Sequence, residues 1–127
     1  MDKHIHEFKK KHGFEDRLQQ ATNIMTKFPS RLPLIVEIHP SSKKNIPPLD
    51  KSKYLVPQEL TVGQFLYVLR KRLKLKAEQA IFLFFKNELS PTSELLSSVY
   101  EKHKDKDSFL YSYLSTENTF GSMNFVN

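Results

Sequence analysis

Residues 53–73 read Lys-Tyr-Leu-Val-Pro-Gln-Glu-Leu-Thr-Val-Gly-Gln-Phe-Leu-Tyr-Val-Leu-Arg-Lys-Arg-Leu, and this stretch decides the fold. Tyr54, Leu55 and Val56 suit a pleated surface, and Pro57, lacking an amide donor, ends the pairing or keeps it at a sheet edge. Thr61 then opens a helix. Its hydroxyl can accept from the amide of Gln64, whose side chain can reach back to the amide of Thr61, the reciprocal box that S/T-x-x-E/Q encodes. Val62, Phe65, Leu66, Leu69 and Leu73 fall on one apolar stripe. Arg70, Lys71, Arg72 and Lys74 make the other face basic, so the helix is expected to cross a sheet with its charged side in water.

Outward from this unit, Leu32 to Ile38 is a branched, strand-like run bounded by Arg31 and by His39-Pro40. Ser41 to Asp50 is a polar loop with Pro47-Pro48. If Lys53 to Val56 returns antiparallel, the two strands form a long-looped hairpin. Ala80 to Phe85 has no polar alternation and reads as a strand buried on both faces. Ser90-Pro91-Thr92 predicts the start of a last short helix whose buried side is Leu95, Leu96, Val99 and Tyr100. Lys102 to Asp107 reads as a solvated turn, and Phe109 to Leu114 as the final strand. At the N-terminal end, Asp2 to His12 predicts a short, loosely held basic helix. Gly13 interrupts it, and Phe14 to Lys27 forms a second helix with a stripe through Phe14, Leu18, Ala21, Ile24 and Met25.

The 127 residues suit one core, and the formal charge of +6 makes acidic peptides, anionic lipid and nucleic acid all chemically suitable partners. Without cysteine the chain has no disulfide, thiolate metal site or cysteine nucleophile. His4, His6 and His12 lack a carboxylate or thiolate to complete a metal set. No apolar run approaches the roughly 20 residues of a membrane span, and the first residues lack the hydrophobic region of a secretory signal. Three glycines offer neither a phosphate cradle nor a nucleophile elbow, so a non-enzymatic, cytoplasmic protein without a cofactor is expected.

The order strand, strand, helix, strand, short helix, strand is that of the ubiquitin-like β-grasp, an α+β fold, here with a four-stranded mixed sheet and two additional N-terminal helices. Six blocks carry a more specific likeness: Lys-Tyr-Leu-Val-Pro at 53–57, Leu-Thr-Val-Gly-Gln-Phe at 60–65, Arg-Lys-Arg-Leu at 70–73, His-Lys-Asp-Lys-Asp at 103–107, Phe-Leu-Tyr at 109–111 and Glu-Asn-Thr-Phe-Gly at 117–121. From about Phe14 to Gly121 the chain resembles the autophagy ubiquitin-like modifiers, the GABARAP and microtubule-associated protein light chain family.

That resemblance implies an N-terminal helical extension over residues 1–27, a ubiquitin-like domain with its tail over 28–121, and a propeptide at 122–127. A cysteine protease would cut after Gly121, and ubiquitin-type activating and conjugating enzymes would join Gly121 to phosphatidylethanolamine on autophagosomal or vacuolar membranes. It also implies docking of cargo receptors through short aromatic-x-x-aliphatic motifs, with the unlipidated protein a monomer. By resemblance the aromatic pocket is Gln20, Ile24, Pro33, Lys53, Leu55 and Phe109. The aliphatic pocket is Tyr54, Val56, Pro57, Leu60, Phe65 and Val68, and Arg31, Lys51, Lys53 and Arg72 would face acidic flanks. Three departures from the family pattern stand out: Gln20 where glutamate is frequent, a hairpin loop near 41–46 about two residues longer, and an unusual 112–116 segment that includes Thr116 where glycine is common. The alternative function is a basic, non-conjugated module for microtubules or RNA, resting on the cationic runs at Lys9 to Lys11 and Arg70 to Lys76.

Overall fold

A computed structural model describes residues 4–117; Gly121 and the 122–127 segment lie outside the described residues. Strands β1 (Arg31–Ile38), β2 (Lys53–Pro57), β3 (Phe82–Phe85), β4 (Glu88–Leu89) and β5 (Leu110–Ser115) form one mixed sheet in the order β2-β1-β5-β3-β4. β1 runs antiparallel to β2 and parallel to β5, and β3 runs antiparallel to both β5 and β4. The expected four strands are therefore five. The extra one is a two-residue strand made possible by Lys86 and Asn87, whose φ angles of 50° and 65° turn the chain back in the left-handed region that asparagine tolerates.

Helices α1 (Glu7–Lys11), α2 (Phe14–Lys27), α3 (Val62–Leu73) and α4 (Leu96–His103) complete the fold. Helix α3 opens on the capping box expected from Thr61: the Gln64 amide donates to the Thr61 hydroxyl at 3.1 Å and the Thr61 amide to the Gln64 side chain at 2.9 Å. Alternation along the strands sends two sets of side chains to opposite faces. Leu34, Val36, Tyr54, Val56, Leu83, Phe85, Leu110 and Leu114 pack with Phe65, Leu69 and Leu73 of α3. On the other face Ile35, Phe109 and Tyr111 pack with Phe8 and Ala21 of the N-terminal helices. Leu83, Phe84 and Phe85 are buried, as a strand covered on both faces requires.

Helix α4 starts five residues later than Pro91 suggests. The first amides of α3 are the reason: Val62 donates to the Glu94 carbonyl and Gly63 to the Thr92 carbonyl, each at 2.9 Å, satisfying groups a helix leaves open at its N-terminus. Serving as acceptors, these residues stay in a turn that the Glu94 amide closes on the Pro91 carbonyl at 3.0 Å, with Leu95 bridged to Thr61. Leu95 consequently points outward and is exposed rather than buried. A Cβ on Gly63 would lie 3.2 Å from Thr92, so glycine permits this close approach.

Helix α1 is held firmly, contrary to the loose helix its charge suggests. The Glu37 carboxylate of β1 accepts from the amides of Glu7 (2.8 Å) and Phe8 (2.9 Å), Lys9 pairs with Asp105 at 2.8 Å, and Phe8 meets Phe109 edge to face at 5.1 Å. The 102–107 turn is likewise not simply solvated. Asp107 is fully buried, accepting from Arg17 Nε of α2 (2.7 Å), the Phe109 amide (2.8 Å) and the Tyr111 hydroxyl. Burial and this hydrogen bond push the Tyr111 phenol far up, so it remains a donor.

Candidate functional site: the β2 edge and its groove

β2 pairs with β1 on one side and, among the described residues, has no strand on the other. Within the pair, Leu34 faces Tyr54 and Leu32 faces Val56, and the Val36 amide donates to Ser52 at 2.8 Å. Antiparallel pairing alternates inward and outward backbone groups, so the even-numbered residues of β2 bond to β1. Lys53 and Leu55 turn their amide and carbonyl outward, which is a template for an added strand. The register also accommodates Pro33 and Pro57, whose missing amides fall where β1 and β2 do not bond. Arg31 Nη1 donates to the outward Leu55 carbonyl at 3.2 Å.

Alternation splits the family-derived site residues between two faces. On the α2 face, Lys53 is exposed, Leu55 and Ile24 are half-buried, Pro33 is buried and Phe109 is fully buried. Gln20 sits at their rim, its Oε1 accepting from Lys53 Nζ at 2.9 Å. On the α3 face, Tyr54, Val56 and Phe65 belong to the core, Leu60 is half-buried and Val68 is exposed, while Pro57, half-buried, ends β2 opposite Arg31. Val68 and Leu60 line a shallow depression with Tyr67, Gln64 and Thr92. Phe65 sits beneath them with 1% exposure, so it supports this depression from within the core.

Beside Lys53 a groove of about 1150 Å³ opens between α1, α2 and the β1–β2 loop. Sequence reasoning missed most of its lining. Phe8, Lys11 and His12 come from α1 and its end, Glu37 and Ile38 from β1, and Lys43, Ile46, Pro48 and Leu49 from the loop. Ile46, standing between Asn45 and Pro47 in an otherwise polar loop, carried the available signal: it anchors the loop in the main core.

The cations of the expected acidic-flank set are spread along β2. Lys51 lies 4.9 Å from the centre of the Tyr54 ring, with Arg72 at 5.8 Å, and Arg72 also pairs with Asp50 at 2.8 Å. Burial is the main cause raising the Tyr54 phenol above its ordinary value. Its hydroxyl is buried with the Arg72 guanidinium nearby, and among the described residues no group meets hydrogen-bond geometry with it. Among the described residues, no group of three or more His, Cys, Asp or Glu is placed to hold a metal ion, and His12 instead pairs with Asp16 at 2.8 Å. No helix among them is long and apolar enough to cross a membrane.

The family model described as autophagy protein Atg8, ubiquitin-like, matches residues 16–121. Autophagy-related protein 8a of Arabidopsis thaliana is 53% identical over 116 residues, covering 91% of this chain and 93% of that protein. Autophagy-related protein 8 of Kluyveromyces lactis is 54% identical over 114 residues, covering 90% of each. The crystal structure of Trypanosoma brucei ATG8 superposes with a TM-score of 0.83 at 42% identity, covering 88% of this chain and 95% of that one. With its ubiquitin-like α+β fold, this chain belongs to the Atg8 family of ubiquitin-like autophagy modifiers.

Proposed function

We propose that this protein is cut after Gly121, joined through that glycine to phosphatidylethanolamine, and used on autophagic membranes to recruit proteins bearing aromatic-x-x-aliphatic motifs with acidic flanks. The observation that carries the recruiting role is the unpaired β2 edge between the two sets of half-buried apolar side chains. A peptide strand added to Lys53 and Leu55 gains backbone hydrogen bonds, and its alternate side chains fall on the Leu55–Ile24 and Leu60–Val68 surfaces. Lys51, Lys53, Arg31 and Arg72 supply positive charge for the flanks, which favours encounter and makes affinity fall with salt.

Gly121 suits the conjugation step because a residue without Cβ lets a catalytic cysteine and a narrow channel approach the acyl carbon closely. The protein has then no catalytic role of its own. Its partners are the processing protease, the activating and conjugating enzymes and the receptors, and it moves from cytoplasm to membrane on lipidation.

Two measurements test this reading. On titration with a motif peptide, amide shifts should centre on Lys51 to Pro57, and Leu55→Asp should abolish them; shifts centred on Phe82 and Phe84 would overturn the docking site. Full-length, Gly121-terminated and Gly121→Ala chains are then incubated with the protease, conjugation enzymes and phosphatidylethanolamine liposomes. The first two should be lipidated and the alanine chain should not. A Gly121-terminated chain that is never lipidated removes the modifier assignment for this residue.

A further inference from the structure

The C-terminal end of β5 leaves a backbone group in need of a partner. β3 begins opposite Ser115, at Phe82, and β1 ends opposite Leu114, at Ile38, so neither ladder extends to Thr116. A buried or half-buried amide left unpaired is costly. Ser42, fully buried at the end of the 3-10 turn Pro40–Ser42, supplies the acceptor: the Thr116 amide donates to Ser42 Oγ at 3.0 Å. The same oxygen lies 3.1 Å from the Ser115 hydroxyl and 3.2 Å from the Thr116 hydroxyl, and the Glu117 amide donates to Ser115 Oγ at 3.1 Å.

Ser42 also organises the loop that lines the β2 groove. Its carbonyl accepts from the amides of Asn45 (2.9 Å) and Ile46 (3.1 Å), and the His39 amide donates to the Leu114 carbonyl at 2.8 Å. One serine therefore holds the loop through its backbone and the last described residues of β5 through its side chain.

We propose that Ser42 is a positioning residue for the C-terminal tail, fixing the direction in which the chain leaves β5 so that the segment leading to Gly121 is presented to the processing and conjugating enzymes. This rests on the modifier reading above. A side-chain clamp at Thr116 restrains the direction in which the chain leaves β5. Losing that restraint lowers the fraction of encounters in productive geometry.

The test compares wild type, Ser42→Ala, Thr116→Ala, which removes only the hydroxyl contact, and Lys44→Ala, an exposed control in the same loop. Amide hydrogen exchange at Thr116 and Glu117 should quicken in Ser42→Ala, while exchange at Leu69 and Leu83 is unchanged. Protease cleavage should lose about 3- to 10-fold in kcat/KM in Ser42→Ala, less in Thr116→Ala and nothing in Lys44→Ala. Unchanged exchange at Thr116, or unchanged cleavage despite faster exchange, overturns the proposal. If Ser42→Ala quickens exchange everywhere and Thr116→Ala is cleaved normally, Ser42 is merely a folding residue and the proposal fails. Wild type that is not cleaved at all would instead sink the modifier reading, while the exchange data still judge the clamp.

Discussion

At the residue scale, Tyr54 and Phe65 show how one sequence pattern serves two purposes. Both lie on the α3 face, and their rings meet edge to face at 5.8 Å. Phe65 was legible as apolar and helical in phase, but periodicity alone does not separate a pocket wall from the core beneath it; burial does. Phe65→Ala removes a ring that is essentially inaccessible, and we expect a loss of about 3–5 kcal/mol, read as a lower urea midpoint at unchanged slope. Tyr54 gives the opposite prediction. Its buried hydroxyl has no hydrogen-bond partner among the described residues, and such a group carries a desolvation penalty of roughly 1–3 kcal/mol. Tyr54→Phe deletes the oxygen and keeps the ring against Phe65, Lys51 and Arg72, so the variant should unfold at a higher urea midpoint than wild type. A lower midpoint would show that the hydroxyl is paired in solution.

At the element scale, α3 was the most legible piece because its signals are local. The cap, the stripe and the basic face all lie within residues 61–74, and each survives in the structure. Thr61→Ala breaks the reciprocal box and should cost about 1 kcal/mol in urea denaturation, with faster amide exchange at Gln64. The late start of α4 was not legible. Pro91 is a sound first-turn signal, yet Thr92 and Glu94 are held in a turn as acceptors for Gly63 and Val62, a demand that comes from another element about thirty residues away. β4 was hidden for a different reason. Two residues are too few to show alternation, and the clue lay in Asn87 as a turn former. The β2 edge was readable from Pro57, whereas the loop side of the groove required knowing that Ile46 turns inward.

At the scale of the whole molecule, the N-terminal helices are joined to the ubiquitin-like body by charge as well as by apolar contact, and this joint is what sequence reading missed most. Arg17 reaches Asp107, and Lys9 reaches Asp105, two carboxylates in a run whose alternating charge resembles a solvated turn. For Asp105, burial works to raise the pKa, but the hydrogen bond from Lys9 and the Asp107 amide outweigh it and hold the carboxyl below its ordinary value. The sign of the linkage follows. With the folded value depressed, the stabilisation is fully present above the unfolded aspartate pKa of about 3.9 and is lost as pH falls through the folded value. Wild type should therefore lose stability more steeply than Lys9→Met between about pH 5 and about pH 3, since the methionine keeps apolar contact with Tyr111 without the charge. Loss of the ion pair should be felt first at α1, where Phe8 and the Glu37-bound amides dock. Urea midpoints across that range, together with amide exchange at Glu7 and Phe8, measure both effects. Parallel pH profiles for the two proteins would mean that the Lys9–Asp105 pair does not fasten the N-terminal helices, leaving Arg17–Asp107, the Glu37-bound amides and the Phe8–Phe109 contact to hold them.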